Sequence, residues 1–284
     1  MVSTIRNIIA HKITLKQIVG HKHIYSLNGF ALPSTQKHLY KYMQLNRFVS
    51  SVKNNELVFV SPDTWKDPFE RRFFKTDYTS LNFKRPEIGC MCLTSKSSTN
   101  EEASWRMYVN PNDKALRLSI DFNEFCKMLD NYAGTNDCKV YIGNVIYDFT
   151  KEEIMSLNNN TKNINYDTYF PSPLSLENYL TLMLIKRVSF AFENEVRIFI
   201  VKDNSLTDTN GLLKIPKINY TKSFIPKVMI APYEPLPKED ITTPFRIKIN
   251  KIESKEYKKI IGVLFGCAVE QSQLYSSCSP VKKV

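Results

Sequence analysis

The sequence predicts one α+β domain in which mixed, mostly antiparallel sheets pack with helices. Three observations support this fold class. Segments with the alternating pattern of strands are interspersed with segments of helical periodicity. Long irregular stretches separate them, as in α+β folds rather than doubly wound parallel sheets. No internal repeat and no glycine-rich linker divides the chain. We expect a basic N-terminal appendage over residues 1–37, helical at best, and a single catalytic-type domain over residues 38–284.

The first elements of the predicted domain are short. Residues 38–42 alternate as a strand does, and residues 45–52 carry apolar side chains at the i, i+3, i+4, i+7 spacing of an amphipathic helix. Asn54 and Asn55 should end that helix, because asparagine favours turns. Residues 57–60 form a short apolar run that predicts a buried strand.

The rest of the chain predicts further strands separated by two helices and one loop. The predicted strands are 88–93, 116–121, 140–147, 195–202 and 245–249. Asp121 is placed to cap a helix that runs to Leu129. Residues 176–190 indicate a largely buried helix, and residues 156–175, rich in Asn and Pro, indicate an irregular loop.

Membrane and secretion signals are missing from the sequence. The longest apolar candidate, residues 179–192, is interrupted by Lys186 and Arg187 and is shorter than the roughly 20 residues that a bilayer crossing needs. The first residues never give the continuous apolar stretch of a secretory signal. We therefore expect a cytoplasmic protein with no membrane partner.

The six cysteines predict neither disulfides nor a metal site. They are spread over a large chain without a secretory context, so we expect reduced thiols. Cys90 and Cys92 are separated by one residue rather than the two of a zinc knuckle, and no second pair follows. We predict no metal.

The net charge of +11 is concentrated at both ends of the chain. Residues 1–75 contain 12 basic and 4 acidic residues, and residues 214–284 contain 13 basic and 6 acidic residues. The middle, residues 76–213, contains 14 basic and 18 acidic residues. Such an excess favours an anionic partner, either nucleic acid or an acidic protein. Arg246 and Lys248 share one face of a predicted strand and could follow a phosphate backbone. The alternative is a solubilising lysine surface, or charges that protect an edge strand.

The predicted strand at 195–202 sorts its side chains by parity. Val196, Ile198 and Ile200 point to one face and indicate a core. Glu193, Glu195, Arg197 and Phe199 share the other face. From the pattern alone, a solvated outer face with Arg197 paired to Glu195 is the favoured interpretation; a functional carboxylate pair is the alternative.

Six short motifs stand out along the chain: Leu39-Tyr40-Lys41-Tyr42, Lys66-Asp67-Pro68-Phe69-Glu70, Cys92-Leu93-Thr94, Trp105-Arg106-Met107-Tyr108, Glu193-x-Glu195-x-Arg197 and Ser272-x-Leu274-Tyr275. In this order they resemble the motifs of a bacterial family catalogued as domain-of-unknown-function 2971, and the resemblance covers about residues 38–275. Two positions depart from the usual pattern: Lys66 stands where Asn is usual, and Val196 where Trp is usual.

That family in turn resembles the ADP-ribosyltransferases, and the resemblance implies an ADP-ribosyltransferase-like split β core and the use of NAD. Lys41 matches a first position that is usually His or Arg, and Trp105 and Tyr108 match the second. Glu195 matches the catalytic glutamate, with Glu193 two residues before it.

The resemblance also implies roles for individual side chains. Glu195 would stabilise the oxocarbenium-like ribose formed as nicotinamide leaves. Tyr40, Tyr42, Trp105 and Tyr108 would line the NAD site, Lys41 would meet the pyrophosphate, and Arg197 would orient Glu195 or bind phosphate. Apart from the resemblance, Trp105 and Tyr108 are ordinary core positions of a helix, and Asp67 is expected to cap a turn.

These implications define the leading hypothesis: a toxin or phage-defence effector that uses NAD to ADP-ribosylate a macromolecule, with nucleic acid the favoured acceptor. A toxin would imply an antitoxin protein as partner. Two alternatives stay open, a non-catalytic nucleic-acid-binding module and a NAD glycohydrolase that uses water as acceptor.

Overall fold

The structure is a computed structural model, and it describes residues 15–33, 35–95, 101–108, 115–149, 173–202, 207–208, 210–231 and 268–271. The strands are β1 (Lys16–Gln17), β2 (Ile24–Ser26), β3 (His38–Gln44), β4 (Leu57–Val60), β5 (Glu87–Thr94), β6 (Ala115–Asp121), β7 (Lys139–Asn144), β8 (Ile146–Phe149), β9 (Ile185–Arg187), β10 (Glu195–Lys202), β11 (Leu212–Ile215), β12 (Lys227–Ile230) and β13 (Ala268–Gln271). The α-helices are α1 (Leu45–Asn54), α2 (Pro68–Lys75), α3 (Glu101–Tyr108), α4 (Phe122–Asn136) and α5 (Leu176–Leu182), and 3₁₀ turns span Pro62–Thr64, Thr79–Leu81 and Val188–Glu193.

The fold is α+β with mostly antiparallel strand pairing, as the sequence predicts. The described residues divide into two compact units. The first unit contains those in the ranges 1–34, 58–93 and 126–214, and the second contains those in the ranges 35–57, 94–125 and 215–284. The prediction of one domain over residues 38–284 stays a prediction.

The first unit holds the central strand of interest, β10. The strand order there is β1-β2-β7-β10-β5, with β4 beside β5 and β11 beside β4. β10 runs antiparallel to β7, with Ile198 opposite Ile142. A core of aromatic and aliphatic side chains packs around this sheet; it includes Phe69, Tyr141, Tyr179, Leu184 and Phe199. Every residue of β10 from Glu195 to Val201 is buried, so both faces of this strand are covered.

The second unit is a sheet of order β3-β6-β12-β13. β3 pairs with β6 in antiparallel register, with Tyr40 opposite Ser119 and Tyr42 opposite Arg117. β12 runs antiparallel to β6 and parallel to β13. Helix α1 begins after Gln44 and ends at Asn55, whose positive φ of 52° is the left-handed conformation that asparagine tolerates. The predicted stop at Asn54 and Asn55 is confirmed.

The N-terminal segment differs from the expectation of helix at best. Its described part contains β1 and β2, and β2 pairs in parallel with β7. Ile24 and Leu27 are fully buried. Short apolar runs such as this one cannot be assigned to strand or helix by periodicity, and pairing with a distant strand decides.

Two further predictions require correction. The helix expected at residues 176–190 ends at Leu182, and the chain continues as β9 and a 3₁₀ turn. The strand expected at residues 140–147 is interrupted at Val145, whose N–H donates to the Glu195 carbonyl. In contrast, the predicted capping of a helix by Asp121 is confirmed. The Glu124 N–H, in the first turn of α4, donates to Asp121 Oδ1 at 3.0 Å. The strand at 245–249 and nearly all of the loop at 156–175 lie outside the described residues.

Within the part of the chain that the structure describes, no helix is both long and apolar enough to span a membrane. The same part contains four free cysteines, Cys90, Cys92, Cys126 and Cys138.

Candidate functional site

Five charged side chains form a buried cluster in the first unit. They are Glu70, Lys186, Glu193, Glu195 and Arg197, and each is less than a tenth exposed. The interpretation of Glu195 and Arg197 as a solvated outer face is therefore wrong: Glu195 is 3% and Arg197 1% exposed. The alternation of side chains along the strand correctly places Glu195 and Arg197 on one face. It carries no information about the elements that cover that face.

Arg197 holds Glu195 through a two-point contact. Its Nε donates to Oε1 of Glu195 at 2.9 Å, and its Nη2 donates to Oε2 at 3.1 Å. The two residues are neighbours on the same face of β10, so the strand backbone presents the guanidinium directly to the carboxylate. The predicted pairing of Arg197 with Glu195 is confirmed. A planar fork of this kind fixes the orientation of the carboxylate as well as its charge.

Lys186 connects the glutamates of the cluster. Its Nζ lies 2.8 Å from Oε2 of Glu193 and 3.0 Å from Oε2 of Glu195. It also lies 3.5 Å from Oε1 of Glu70. Lys186 lies in β9, within the stretch for which the sequence predicts a helix. Because the helix ends at Leu182 and the chain continues as a strand, the Lys186 side chain reaches the cluster.

Glu193 enters the cluster through the turn that precedes β10. It is the last residue of the 3₁₀ segment Val188–Glu193, and Asn194 follows with a positive φ of 45°. Asparagine adopts this left-handed conformation at modest cost, which lets the chain turn sharply into the strand. The turn brings two carboxylates separated by one residue onto the same ammonium group.

Glu70 completes the cluster from helix α2. Arg197 Nη2 donates to Glu70 Oε2, and Arg197 Nη1 donates to the Met183 carbonyl. Asp67 caps this helix, because the Phe69 N–H donates to its Oδ1 at 2.9 Å. Asp67 also pairs with Arg187 Nη2 at 2.5 Å. The expected capping role of Asp67 is thus observed, and the cap fixes the first turn from which Glu70 projects.

One aromatic ring lies against the guanidinium. The Arg197 guanidinium carbon lies 4.4 Å from the centre of the Trp65 ring, within the range of a cation–π contact. In addition, the backbone N–H of Glu195 donates to the Tyr147 hydroxyl at 2.8 Å. Trp65 thus holds the Arg197 guanidinium in place, and Tyr147 holds the backbone of Glu195.

The cluster keeps Glu195 ionised. Burial raises the pKa of this carboxyl, but Arg197 and Lys186 lower it further, and hydrogen bonds from Arg197 and Cys92 add to the effect, so the pKa lies well below its usual range. Burial lowers the pKa of Lys186, whereas the three glutamates raise it above its usual value. With three carboxylates and two cations, the cluster carries a formal charge of −1.

No family model, no curated protein and no solved structure matches the chain. The resemblance to the family catalogued as domain-of-unknown-function 2971, and through it to the ADP-ribosyltransferases, stays a prediction.

The remaining residues expected to bind NAD lie in the second unit. Tyr42 contacts Trp105 edge-on at 4.8 Å and stacks on Tyr108 at 5.8 Å. Trp105 is fully buried, which agrees with the alternative interpretation of a core residue. Lys41 and Tyr40 are half-buried in β3. The structure thus groups Glu193, Glu195 and Arg197 in one unit and Lys41, Tyr40, Tyr42, Trp105 and Tyr108 in the other.

Two predicted contacts with nucleic acid, Arg246 and Lys248, lie outside the described residues. Among the residues that are described, no group of three or more His, Cys, Asp or Glu side chains could hold a metal ion.

Sequence reasoning did not identify Glu70, Lys186 or Trp65 as members of the site. Glu70 is the last residue of the motif Lys66-Asp67-Pro68-Phe69-Glu70, and Trp65 directly precedes it. That motif was the signal in the sequence that could have identified both. Lys186 offered a weaker signal, a charged residue inside an otherwise apolar segment. A lysine in such a segment needs a partner, which is a reason to look for buried carboxylates.

Proposed function

We propose that this chain is an ADP-ribosyltransferase-like enzyme that consumes NAD and transfers ADP-ribose to a macromolecule, with Glu195 as the catalytic carboxylate. The observation that carries the proposal is the state of Glu195: it is buried, ionised and held by Arg197 and Lys186. A fixed charge in a water-poor site acts more strongly on a developing positive charge than the same charge in water.

The chemistry requires such a carboxylate. The bond between ribose C1′ and the nicotinamide nitrogen breaks, nicotinamide leaves with the electron pair, and the sugar becomes oxocarbenium-like. A negative charge near the sugar stabilises that transition state. A nucleophilic atom of the acceptor then bonds to C1′ and releases its proton. Glu195 supplies the charge on this proposal, and Arg197 prevents it from rotating away.

Access to Glu195 is the main structural requirement of the proposal. The 3₁₀ segment Val188–Glu193 packs on the cluster, with the Phe190 ring 5.0 Å from Lys186 Nζ and 4.7 Å from the Arg187 guanidinium carbon. Val188 in the same segment is half exposed. Because this short segment contacts the cluster through Phe190 and carries the exposed Val188, we propose that its displacement admits the sugar.

The acceptor is proposed from charge. The chain carries a net charge of +11, which favours a polyanion such as RNA or DNA. An effector of this kind would act as a toxin or in phage defence and would be controlled by an antitoxin protein. If water is the acceptor, the same site makes the chain a NAD glycohydrolase.

The test is mass spectrometry of RNA, DNA and protein after incubation with the purified chain and NAD. Covalently added ADP-ribose supports the transferase, and its location identifies the acceptor. Free ADP-ribose and nicotinamide without an adduct support the glycohydrolase. Unchanged NAD with every acceptor contradicts both.

A non-catalytic nucleic-acid-binding module is the second candidate, and one specific observation favours it. The two oxygens of Glu195 already accept from Arg197 twice and from Lys186, and the Cys92 thiol donates to the same carboxyl. A carboxylate accepts about four hydrogen bonds, so this one is close to saturated. On this interpretation the cluster is structural, and NAD would stay intact while nucleic acid binds with strong salt dependence.

A further inference from the structure

A cleft in the first unit is separate from the charged cluster. It lies between the end of α2 and the start of β5, has a volume of about 550 Å³, and is lined by the chain from Lys75 to Arg85. Clefts of roughly 300 to 1,000 Å³ accommodate small ligands. Neither the proposed NAD chemistry nor the sequence motifs involve these residues.

The charge of the cleft is positive and only partly compensated. Lys75, Lys84 and Arg85 line it together with one acid, Asp77. Asp77 is engaged locally, because the Thr79 N–H donates to its Oδ1 at 3.0 Å. Lys75 pairs with Asp63 at 3.4 Å in an exposed contact, which contributes little in water. Within the described part of the chain, no carboxylate lies within ion-pair distance of Lys84 or Arg85.

The floor of the cleft is fixed by core packing. Tyr78 is 2% exposed, and its hydroxyl donates to the Phe73 carbonyl at 2.9 Å. The Phe83 ring packs on Tyr179 at 4.9 Å and on Tyr78 at 6.4 Å. Arg85 Nη1 donates to the Phe74 carbonyl at 2.6 Å, and its guanidinium lies 4.5 Å from the Phe74 ring centre. The cations therefore sit on a preformed surface, which lowers the entropic cost of binding an anion.

We infer that this cleft binds a phosphate group of a nucleotide, with Lys84 and Arg85 as the cationic contacts. Arginine and lysine on a rigid surface are the usual phosphate ligands of proteins. Phe83, a half-buried residue of the lining, offers an aromatic surface for an adjacent base. The phosphate can belong to a free nucleotide or to a nucleic-acid chain, and both present the same chemistry to the cleft. The inference concerns binding alone and does not rest on the proposed transferase activity.

The test compares four probes on the full-length chain at low salt: adenosine, AMP, pyrophosphate and a fluorescein-labelled single-stranded RNA of ten nucleotides. Calorimetry measures the small probes and fluorescence anisotropy measures the RNA. We expect AMP and pyrophosphate to bind and adenosine not to bind, because the contact is with phosphate. If AMP binds and the RNA does not, the ligand is a free nucleotide. If the RNA binds much more tightly than AMP, the ligand is a nucleic-acid chain.

The key variant is Lys84→Gln, which changes an exposed side chain of the cleft. We expect it to weaken AMP binding about fivefold, and to lower the slope of log K for RNA against log salt by about 0.7. The control is Lys214→Gln, an exposed lysine of β11 outside the cleft, which should change neither quantity. Equal binding of adenosine and AMP, no binding of any phosphate probe, or wild-type binding by Lys84→Gln would overturn the inference.

Discussion

The Arg197 guanidinium donates two hydrogen bonds to Glu195, the residue two positions before it on the same strand, while its second terminal nitrogen donates to the Met183 carbonyl. This contact converts a sequence spacing into a fixed charge pair. Glu70 reaches this pair from helix α2, and Lys186 reaches it from β9, a strand of the separate two-stranded sheet. The predictions below test what this arrangement does for activity and for stability.

The first prediction separates a catalytic from a structural role of Glu195. In Glu195→Gln we expect NAD consumption to fall by roughly 10² to 10³, because the charge near the sugar is lost. The variant should also lose stability, because Glu195 is buried. The new amide nitrogen must face Arg197 or Lys186, which are donors, and leaving a buried donor unpaired costs about 1 to 3 kcal/mol.

Glu70→Gln is the matched control for that experiment. Glu70 contacts the same two cations and is equally buried, so the same change of charge should cost similar stability. Glu195 stays ionised in this variant, so NAD consumption should remain within about tenfold of wild type. Both variants are compared by circular dichroism below their melting temperatures. Equal loss of activity in the two would remove Glu195 from its catalytic role.

The second prediction concerns pH. The folded-state pKa of Glu195 is lowered, so its contribution to stability is present above the ordinary glutamate pKa and is lost as the pH falls toward the folded value. We expect the free energy of unfolding in urea to fall steadily from about pH 5 downward. Glu195→Gln should show a shallower fall over the same range, and an identical pH profile would contradict the assignment.

The third prediction tests Lys186 as the cation that binds the glutamates together. Lys186→Met leaves Glu70, Glu193 and Glu195 with Arg197 alone, so we expect a loss of about 3 to 5 kcal/mol in the free energy of unfolding. Adding Glu193→Gln removes one of the uncompensated carboxylates and should recover part of that loss. Lys139→Met, at an exposed position of β7, should change stability by less than about 0.5 kcal/mol. Independent, additive effects of the first two changes would refute the contact.

The fourth prediction separates the two contacts of Asp67. Asp67→Ala removes the cap of α2 and the pair with Arg187, and we expect it to cost about 1 to 2 kcal/mol. Asp67→Asn keeps an oxygen for the Phe69 N–H and removes only the charge, so its cost should stay below about 1 kcal/mol. Chemical denaturation of both variants measures the difference. If both variants lose the same free energy of unfolding, the ion pair with Arg187 contributes more to stability than the helix cap.

The fold class and most strands follow from periodicity, because alternation and turn residues are local signals. Residues 38–60 illustrate this: β3, α1, the stop at Asn55 and β4 all lie where the pattern predicts. The segment after Leu182 illustrates the failure. Its apolar run fits a helix and a buried strand equally well, and only the pairing of β9 with β8 selects the strand.

The site was predictable in part for a similar reason. Glu195 and Arg197 lie two residues apart in one strand, so strand parity alone brings them together, whereas Glu193 reaches them through the turn before the strand. Glu70 and Lys186 come from other elements, and no spacing encodes their meeting. The burial of the face was also missed, because an alternating strand looks the same whether its polar side meets water or other charged side chains.

Arg197 follows Glu70 by 127 positions in the chain, and this separation has a consequence for synthesis on the ribosome. At roughly 5 to 20 residues per second, Arg197 emerges on the order of ten seconds after Glu70. During that interval Glu70 has none of its cationic partners, since Lys186 also follows late, and burying it would be unfavourable. We therefore expect helix α2 to dock only after β9 and β10 have left the exit tunnel, because the cations that compensate Glu70 lie in those two strands.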